Sequence, residues 1–244
     1  MTIKTSVVGA KGRMGETTKE AIEKDSELTL HAAIDVNDDI NQLLGSDVLV
    51  DFTTPEAVMN TLEFAIKNNI HAVVGTTGFN DDKLNKIQEL LKTSKSSIRI
   101  VSNFSIGAIL MMRFAEEAAK YYESAEIVEI HHPSKKDAPS GTSQSTAKII
   151  AEARKKHNLP AQPDSTSTEI PGARGANVND IKIHALRIEG SIAHQETIFG
   201  SKGELLTIRH DSFDRESFMP GVILAVKNVA KTPGLTLGIN DLIK

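Results

Sequence analysis

The sequence predicts an α/β protein, with a parallel sheet in a first domain and an α+β arrangement in a second. In the first hundred or so residues, short β-branched runs alternate with helix-like segments, which is the pattern of βαβ units. After about residue 105 this alternation stops, and three strand-like runs follow one another between residues 181 and 210. The length of 244 residues suits two domains of ordinary size.

Composition and charge exclude several classes of protein. The chain has 28 Lys and Arg against 32 Asp and Glu, a formal net charge of −4, which argues against a dedicated nucleic-acid binder. Because there is no cysteine, a disulfide framework, a thiolate nucleophile and a cysteine-ligated metal are excluded. The amino terminus enters a strand-like run directly and no stretch reaches about 18 apolar residues, so we expect a cytoplasmic protein without a membrane span.

Five strand-like runs define the first domain. They are residues 3–8, 28–34, 48–52, 71–74 and 98–102. After the third run a helix is predicted, with Thr54 as its N-cap and Pro55 in its first turn. Parallel strands end at one edge of a sheet, and that edge binds ligands. The residues expected at this edge are Gly9, Asp35, Phe52, Gly75 and Asn103.

The second domain is predicted to contain an open, mostly antiparallel sheet. A helix at 106–122 precedes a strand at 126–131, and another helix starts near Gly141. Residues 160–180 are rich in Pro, Ser, Thr, Gly and Asn and are expected to form a functional or mobile loop. A last amphipathic helix is predicted at 217–231.

The three alternating runs that follow the loop are short. They cover residues 181–188, 191–199 and 204–210, and Gly190 and Gly203 separate them. Glycine-containing connections of this length join neighbouring antiparallel strands, so the pattern predicts an antiparallel meander.

Gly9, Gly12 and Gly15 form a GxxGxxG pattern between the first strand and a helix. Glycines in this position let the backbone turn tightly and approach a pyrophosphate, whose charge meets the amides of the helix N-terminus. Asp35 follows Gly15 by 20 residues, at the end of the second strand, where an acid accepts ribose hydroxyls. This order predicts a Rossmann-like dinucleotide site. The alternative is a glycine-rich turn without such a ligand.

The charges around this turn do not select one nicotinamide cofactor. Lys11 and Arg13 suit the 2′-phosphate of NADPH, whereas Asp35 repels it. We therefore expect NADH and NADPH both to be accepted. The alternative for either cation is a solvated position on the surface.

The segment 129–142, EIHHPSKKDAPSGT, holds most of the remaining candidate chemistry. Ser140 is a natural N-cap, so the amides of Gly141 and Thr142 would start a helix and, with Lys135, cradle a carboxylate or phosphate. Histidine and lysine also allow proton delivery to a bound dianion. The alternative is a packed histidine pair beside a solvated lysine pair.

A metal site is not predicted in this segment. His131 and His132 are neighbours on a strand, so their side chains point to opposite faces of the sheet. No further histidine or carboxylate has ligand spacing relative to them.

In these motifs the sequence resembles the 4-hydroxy-tetrahydrodipicolinate reductase family, also called dihydrodipicolinate reductases. The resemblance covers nearly the whole chain. It is carried by GAKGRMG at 9–15, DFT at 51–53, GTTG at 75–78, SNFS at 102–105 and HHPSKKDAPSGT at 131–142. The last motif is highly specific.

This resemblance implies the NAD(P)H-dependent reduction of 4-hydroxy-tetrahydrodipicolinate, a cyclic imine with two carboxylates, in lysine and diaminopimelate biosynthesis. It also implies a dinucleotide-binding domain of residues 1–105 and 216–244. Residues 106–215 would then form a substrate-binding and oligomerisation domain whose sheet builds a homotetramer.

The resemblance further assigns roles to residues. It implies that His131 is a proton donor or acceptor and that Lys135 is a proton donor. The residues it implies for the substrate carboxylates are His132, Gly141 and Thr142. Those it implies for the cofactor are Gly9, Ala10, Lys11, Gly12, Arg13, Met14, Asp35, Gly75, Thr76, Thr77, Val101, Ser102, Asn103 and Phe104. Val36 departs from members that carry an arginine there, which leaves the preference between NADH and NADPH open.

Two other dehydrogenase classes do not fit the sequence. A short-chain dehydrogenase needs a lysine four residues after its tyrosine, but Ala125 and Glu126 stand there after Tyr121 and Tyr122. A thioester-forming aldehyde dehydrogenase needs a cysteine. Two alternatives stay open: a nicotinamide-dinucleotide sensor without turnover, and a reductase of a different anionic cyclic imine.

Overall fold

The computed structural model describes residues 2–244, which form two compact units. The first unit contains the chain up to Ile106 together with Arg215–Lys244. The second unit is Gly107–Asp214. Among residues 2–244, no helix is long and apolar enough to cross a membrane.

Strands and helices alternate through the first unit and the start of the second. The strands are β1 (Ile3–Val8), β2 (Leu28–Ile34), β3 (Val48–Asp51), β4 (His71–Val74), β5 (Ser97–Ile100), β6 (Ser124–His131), β7 (Ala176–Val178), β8 (Ile181–Arg187), β9 (Ala193–Ser201), β10 (Glu204–Ser212) and β11 (Gly234–Leu237). The α-helices are α1 (Arg13–Lys24), α2 (Val58–Lys67), α3 (Asp81–Leu91), α4 (Ile106–Ala118), α5 (Gly141–Lys156) and α6 (Met219–Val229).

The first unit contains a six-stranded sheet in the order β2-β1-β3-β4-β5-β11, and every neighbouring pair is parallel. All residues of β3 and β5 are buried, as expected for strands covered on both faces. The strand order reverses between β1 and β3, which makes their carboxyl ends the switch point of the sheet. The predicted Rossmann-like fold is confirmed.

Two details of the first unit differ from the prediction. Helix α2 begins at Val58 and has Ala57 as its N-cap without a side-chain hydrogen bond, so the expected cap at Thr54 is wrong. A turn precedes the helix instead, because the amides of Ala57 and Val58 both donate to the carbonyl of Thr54 (3.1 and 3.0 Å). Strand β11 was not predicted, since four residues led by a glycine show no periodicity.

The second unit contains a five-stranded sheet in the order β10-β9-β6-β8-β7. Pairing is antiparallel except between β6 and β8, which are parallel, so the prediction of an open, mostly antiparallel sheet is confirmed. Residues of β6, β8 and β9 pack with α4 and α5 into one hydrophobic core, which includes Ala115, Ile127, Ile150, Ile183 and Phe199. Alternation along β6 puts Ile127, Glu129 and His131 on one face of the sheet.

The expected antiparallel meander is confirmed for β9 and β10, which pair across the turn at Gly203, but it is wrong for β8. Strands β8 and β9 are consecutive in the chain but do not pair, because β6 lies between them. The alternating pattern of each run is correct, but the choice of neighbour depends on β6, whose alternate residues are buried and whose two edges are both free to pair.

Part of the predicted loop at 160–180 is also ordered as a strand. Strand β7 pairs with β8 through Val178 and Ile181, joined by a two-residue turn. Asn179 and Asp180 both have positive φ (53° and 65°), the conformation of a type I′ hairpin that favours Asn and Asp.

Candidate active site

The glycine-rich turn after β1 packs backbone against backbone. Gly9 has a φ of +79°, and a Cβ there would lie 2.7 Å from the carbonyl oxygen of Phe52. A Cβ on Gly15 would lie 2.2 Å from the carbonyl oxygen of Gly9. The amides of Gly9 and Ala10 both donate to the carbonyl of Ile34 (3.0 and 3.1 Å). Side chains larger than hydrogen therefore do not fit at Gly9 and Gly15.

Helix α1 begins directly after this turn with its N-terminus open. Its N-cap, Gly12, is extended and supplies no side-chain hydrogen bond, and Lys11, Gly12 and Arg13 are exposed. A cleft of about 360 Å³ adjoins the helix start, lined by Gly12, Arg13, Met14, Phe52, Thr53, Pro55, Gly75, Thr76, Thr77 and Arg215. The free amides at this helix start, together with the cations Lys11 and Arg13, fit the pyrophosphate of a dinucleotide.

Asp35 stands at the end of β2 and contacts the same turn. Its Oδ2 accepts a hydrogen bond from the amide of Lys11 (2.8 Å), and its Oδ1 accepts one from the amide of Val36 (2.9 Å). These two bonds, the one from Lys11 first, hold the pKa of Asp35 below its ordinary value. The carboxylate therefore braces the glycine turn and keeps lone pairs for ribose hydroxyls. Val36 is 83 % exposed beside it.

An aromatic pair lies where β3, β4 and β5 end. The rings of Phe52 and Phe104 meet edge to face with centroids 5.7 Å apart. A Cβ on Gly75 would lie 2.1 Å from the Phe52 ring and 3.0 Å from the Phe104 ring. Gly75 therefore makes room for the pair.

Asp51 connects two of the motifs at this edge. Its side chain is completely buried, and Oδ1 accepts hydrogen bonds from the amide and hydroxyl of Thr53 (2.9 and 2.7 Å) and from the hydroxyl of Thr76 (2.8 Å). Its Oδ2 has no hydrogen-bond partner among the described residues. The carboxylate thus ties the DFT turn to the GTTG turn, a role that the motif alone did not reveal.

Of the remaining residues predicted for the cofactor, Val101, Ser102 and Asn103 follow β5, whereas Thr77 follows β4. Val101 is buried and its amide donates to the carbonyl of Val74 (2.8 Å), which joins the ends of β4 and β5. Ser102 is exposed, and the side-chain oxygen of Asn103 accepts from the amide of Ser105 (2.8 Å). Thr77 is exposed at the rim of the cleft.

In the second unit, His131 is paired with a buried carboxylate. Its Nδ1 forms a hydrogen bond with Glu129, which lies two residues earlier on the same face of β6 and is 0 % exposed. A carboxylate oxygen only accepts, so we assign the Nδ1 proton to His131, which leaves Nε2 as the free ring nitrogen. Burial alone would raise the pKa of Glu129, but hydrogen bonds and charges from His131 and Arg187 outweigh it and lower that pKa.

Lys135 lies in the loop that follows β6. Its Nζ donates to both carboxylate oxygens of Asp137 (2.8 and 3.1 Å), and this ammonium lowers the pKa of Asp137. Arg187 donates to the carbonyl of Asp137 (2.6 Å) and to Oε1 of Glu129 (3.1 and 3.2 Å). One guanidinium therefore connects the loop of Lys135 with the carboxylate that holds His131.

Helix α5 starts as predicted. Ser140 is its N-cap, and its hydroxyl accepts from the amide of Ser143 (3.2 Å). The amides of Gly141 and Thr142 precede the capped position and have no partner among the described residues. A Cβ on Gly141 would meet nothing within 4 Å, so the space in front of this helix start is open. An anion can approach both amides.

His132 lies next to this group but is held differently. Its Nδ1 is hydrogen-bonded to the hydroxyl of Ser134 (2.7 Å) within the loop. Across residues 2–244, no group of three or more His, Asp or Glu side chains is positioned to hold a metal ion.

Sequence reasoning missed two residues that hold this part of the chain together, Glu129 and Arg187. Glu129 carried a usable signal, because a spacing of two on a strand puts it on the same face as His131. Arg187 carried none, since it reaches Glu129 only through the parallel pairing of β8 with β6.

Comparison with known proteins confirms the resemblance. The family models described as dihydrodipicolinate reductase, N-terminus and C-terminus, match residues 3–104 and 107–243. The 4-hydroxy-tetrahydrodipicolinate reductases of Mycolicibacterium vanbaalenii and Mycobacterium marinum are 51 % and 52 % identical over 244 residues, 99 % of this chain and of each relative.

A solved structure agrees with these relatives. The dipicolinate-bound dihydrodipicolinate reductase of Paenisporosarcina sp. TG-14 has a TM-score of 0.87, 35 % identity and 99 % coverage of both chains. The chain therefore belongs to the dihydrodipicolinate reductase family and is a pyridine-nucleotide-dependent oxidoreductase of lysine and diaminopimelate biosynthesis.

Proposed function

We propose how this chain divides the reduction of 4-hydroxy-tetrahydrodipicolinate between its residues. The carboxyl edge of the six-stranded sheet holds NADH or NADPH, and the segment 131–142 binds the dicarboxylate and supplies a proton. The observation that carries the proposal is the open N-terminus of α5, where two unpartnered amides adjoin a loop with a histidine and a lysine.

The glycine turn fits a pyridine dinucleotide. Residues 9–14 hold the pyrophosphate, because Gly9 and Gly12 leave the amides at the start of α1 accessible. Asp35 accepts the adenosine ribose hydroxyls. The residues proposed for the nicotinamide side are Gly75, Thr76, Thr77, Val101, Ser102, Asn103 and Phe104. When bound, the cofactor supplies one hydride to the substrate ring.

The two carboxylates of the substrate need two groups of donors. The amides of Gly141 and Thr142 suit one carboxylate, and His132 contributes to the other. The relative from Paenisporosarcina was solved with dipicolinate, an aromatic dicarboxylate, which supports a site built for two carboxylates.

The substrate first loses its 4-hydroxyl group as water, which gives a conjugated ring, and one proton must then accompany the hydride. His131 or Lys135 donates it to the ring carbon at which negative charge develops, which is general acid catalysis. His131 has Nε2 free because Glu129 engages Nδ1, and Lys135 carries three N–H donors near its partner Asp137.

Both cofactors are proposed as substrates of the enzyme. Asp35 favours NADH, while the exposed Lys11 and Arg13 offset its repulsion of the 2′-phosphate of NADPH. The side chain of Val36 adds neither charge nor a hydrogen-bond donor.

The broader assignments are proposals too. We assign the cofactor to residues 1–105 and 216–244 and substrate binding to residues 106–215, and we propose a homotetramer that acts in the cytoplasm. The family resemblance supports the tetramer.

The test follows the absorbance of NADH and NADPH with purified protein and freshly prepared 4-hydroxy-tetrahydrodipicolinate. Wild type is expected to oxidise both cofactors. His131→Ala and Lys135→Ala are expected to lower kcat about 10²- to 10⁴-fold, the usual loss for a general acid. Lys136→Ala, an exposed neighbour, serves as the matched control and should keep most activity.

Two results would contradict the proposal. Cofactor binding without any oxidation would indicate a nicotinamide sensor instead. Undiminished turnover of a cyclic imine that lacks one carboxylate would indicate a reductase of a different anionic imine.

A further inference from the structure

Glu129 is completely buried, yet its side-chain partners all belong to the substrate segment or brace it. One oxygen accepts from His131 Nδ1, and the other accepts from Arg187 and from the amide of Ser140 (3.3 Å), the N-cap of α5. Burying a carboxylate costs free energy unless the group is paired and hydrogen-bonded. The ionised Glu129 side chain is therefore stable in this position only because these three partners contact it.

We propose that Glu129 is the positioning residue of this active site. It orients the His131 ring with the proton on Nδ1, so that Nε2 is the nitrogen that meets the substrate. Through the Ser140 amide it also holds the start of α5, where the carboxylate cradle lies. This inference rests on the proposed function, because the orientation of His131 affects catalysis only where His131 takes part in the proposed reaction.

The chemistry follows from the two states of an imidazole ring. Neutral histidine has one donor and one acceptor nitrogen, and the group bonded to one nitrogen determines which is which. A carboxylate at Nδ1 requires a donor there, in the neutral as well as the charged ring. It also stabilises the imidazolium, the form that can release a proton from Nε2.

Arg187 completes the arrangement from the neighbouring strand. Its guanidinium contacts Glu129 Oε1 with both Nη atoms and also donates to the carbonyl of Asp137, the partner of Lys135. A single ion pair, with Glu129 buried and Arg187 partly exposed, therefore connects to both proposed proton donors. The charge of Arg187 also keeps Glu129 ionised, which the bond to His131 requires.

The charged groups near His131 come from three elements. Glu129 precedes it on β6, Arg187 is its register partner on β8, and Lys135 and Asp137 lie in the following loop. Its register partner on β9 is the uncharged Ala193.

The test variant is Glu129→Gln. Glutamine keeps the size of the side chain and one acceptor oxygen for Arg187 and Ser140, but it offers an amide donor to His131 Nδ1. The ring must then rotate or carry its proton on Nε2. We expect kcat to fall roughly 100-fold, KM for the imine to change less than about threefold, and the Kd for NADH to stay unchanged. The pH above which kcat/KM declines should move lower, since the imidazolium loses its anionic partner.

Glu126→Gln is the matched control. Glu126 lies on the same strand and also binds a histidine, His184 (2.7 Å), and an arginine, Arg174, but it faces the other side of the sheet. This variant should keep the kcat and pH profile of the wild type. Glu129→Asp retains the charge and is expected to recover part of the lost kcat and most of the pH profile.

Nitrogen-15 spectra of the histidine side chains provide a readout that does not need turnover. In its neutral form, the His131 ring of wild type should show a protonated Nδ1 and a bare Nε2. A bare Nδ1 would overturn the proposal, even where Glu129→Gln fails to fold. If the wild type shows the expected tautomer but no oxidation of NADH, the proposed function fails and the positioning of His131 by Glu129 stands.

The kcat of a double variant provides a second test of whether Glu129 acts through His131. When Glu129 acts through His131, the Glu129→Gln/His131→Ala double variant should be no slower than His131→Ala alone. The proposal is contradicted if the kcat losses of the two single variants multiply in the double variant, or if a folded Glu129→Gln variant keeps the wild-type pH profile. Either result would show that Glu129 has only a structural role.

Discussion

The glycine turn at 9–15 and the substrate segment at 129–142 both expose the N-terminus of a helix, but different forces hold them. The glycine turn is held by backbone contacts so close that Gly9 and Gly15 cannot carry a Cβ. The substrate segment is held by side chains, through the ion pair of Glu129 and Arg187 and the cap of Ser140.

This difference indicates what each region tolerates. A steric arrangement fails when volume is added and is insensitive to pH, whereas an arrangement of charges tolerates small changes in volume and fails when a charge is lost. The glycine at each helix start provides the sharpest contrast.

The largest expected effect comes from Gly15→Ala. Its Cβ would lie 2.2 Å from the carbonyl oxygen of Gly9, and neither backbone segment can give way easily. We expect the free energy of unfolding to fall by about 3 kcal/mol, the Tm to drop by about 10 °C, and NADH binding to weaken at least about tenfold. Thermal unfolding and a fluorescence titration with NADH measure these changes.

Gly141→Ala is the counterpart in the substrate segment. Nothing lies within 4 Å of its added Cβ, so the Tm and NADH binding should stay at wild-type values. The methyl group would occupy the space proposed for a carboxylate, and KM for the imine should rise about tenfold. Equal losses of stability in the two variants would contradict the contrast between the regions.

A smaller effect is expected from acid. The folded-state pKa of Glu129 is lower than its ordinary value of 4.5, so its ionised form stabilises the protein above that pH. This contribution is lost as the pH falls through the folded-state pKa. Urea unfolding of wild type between pH 6 and pH 3 should show it.

Glu129→Gln should be less stable than wild type at pH 6, but its stability should decline less steeply below pH 4.5. Glu204→Gln, at an exposed glutamate of β10, serves as the control and should follow the wild-type curve. Parallel curves for wild type and Glu129→Gln would show that Glu129 is not the group responsible.

The smallest effect concerns the choice of cofactor. Val36 is exposed next to Asp35, and Val36→Arg adds a cation where the 2′-phosphate of NADPH is proposed to lie. Exposed ion pairs contribute about 0.2–1 kcal/mol, so KM for NADPH should fall about two- to fivefold while KM for NADH changes little. Val36→Gln adds length without charge, and an equal gain in that variant would argue against an electrostatic cause.

The accuracy of the sequence predictions varied with the range of the interactions involved. The turn of Gly9 and the cap of Ser140 depend on residues only a few positions away in the chain. Both the turn and the cap are present in the structure. The cap predicted at Thr54 failed even at short range, because its carbonyl rather than its side chain starts the turn before α2.

Side-chain partners were harder to predict than the motifs that contain them. The DFT and GTTG motifs were recognised, but the hydrogen bond from Thr76 to Asp51 spans 25 residues and follows from the pairing of β3 with β4. Glu129 lies two residues from His131, a spacing that the sequence shows, whereas its other partner Arg187 is 58 residues away.

The sequence by itself determined the fold class, the family, the glycine turn and the two helix starts, because each of these depends on local residue order. Only the tertiary structure decided that β6 separates β8 from β9. That pairing brings Arg187 to Glu129 and thereby braces His131. Strand neighbours are chosen by which faces and edges can be buried together, and that choice depends on the whole sheet rather than on any one strand.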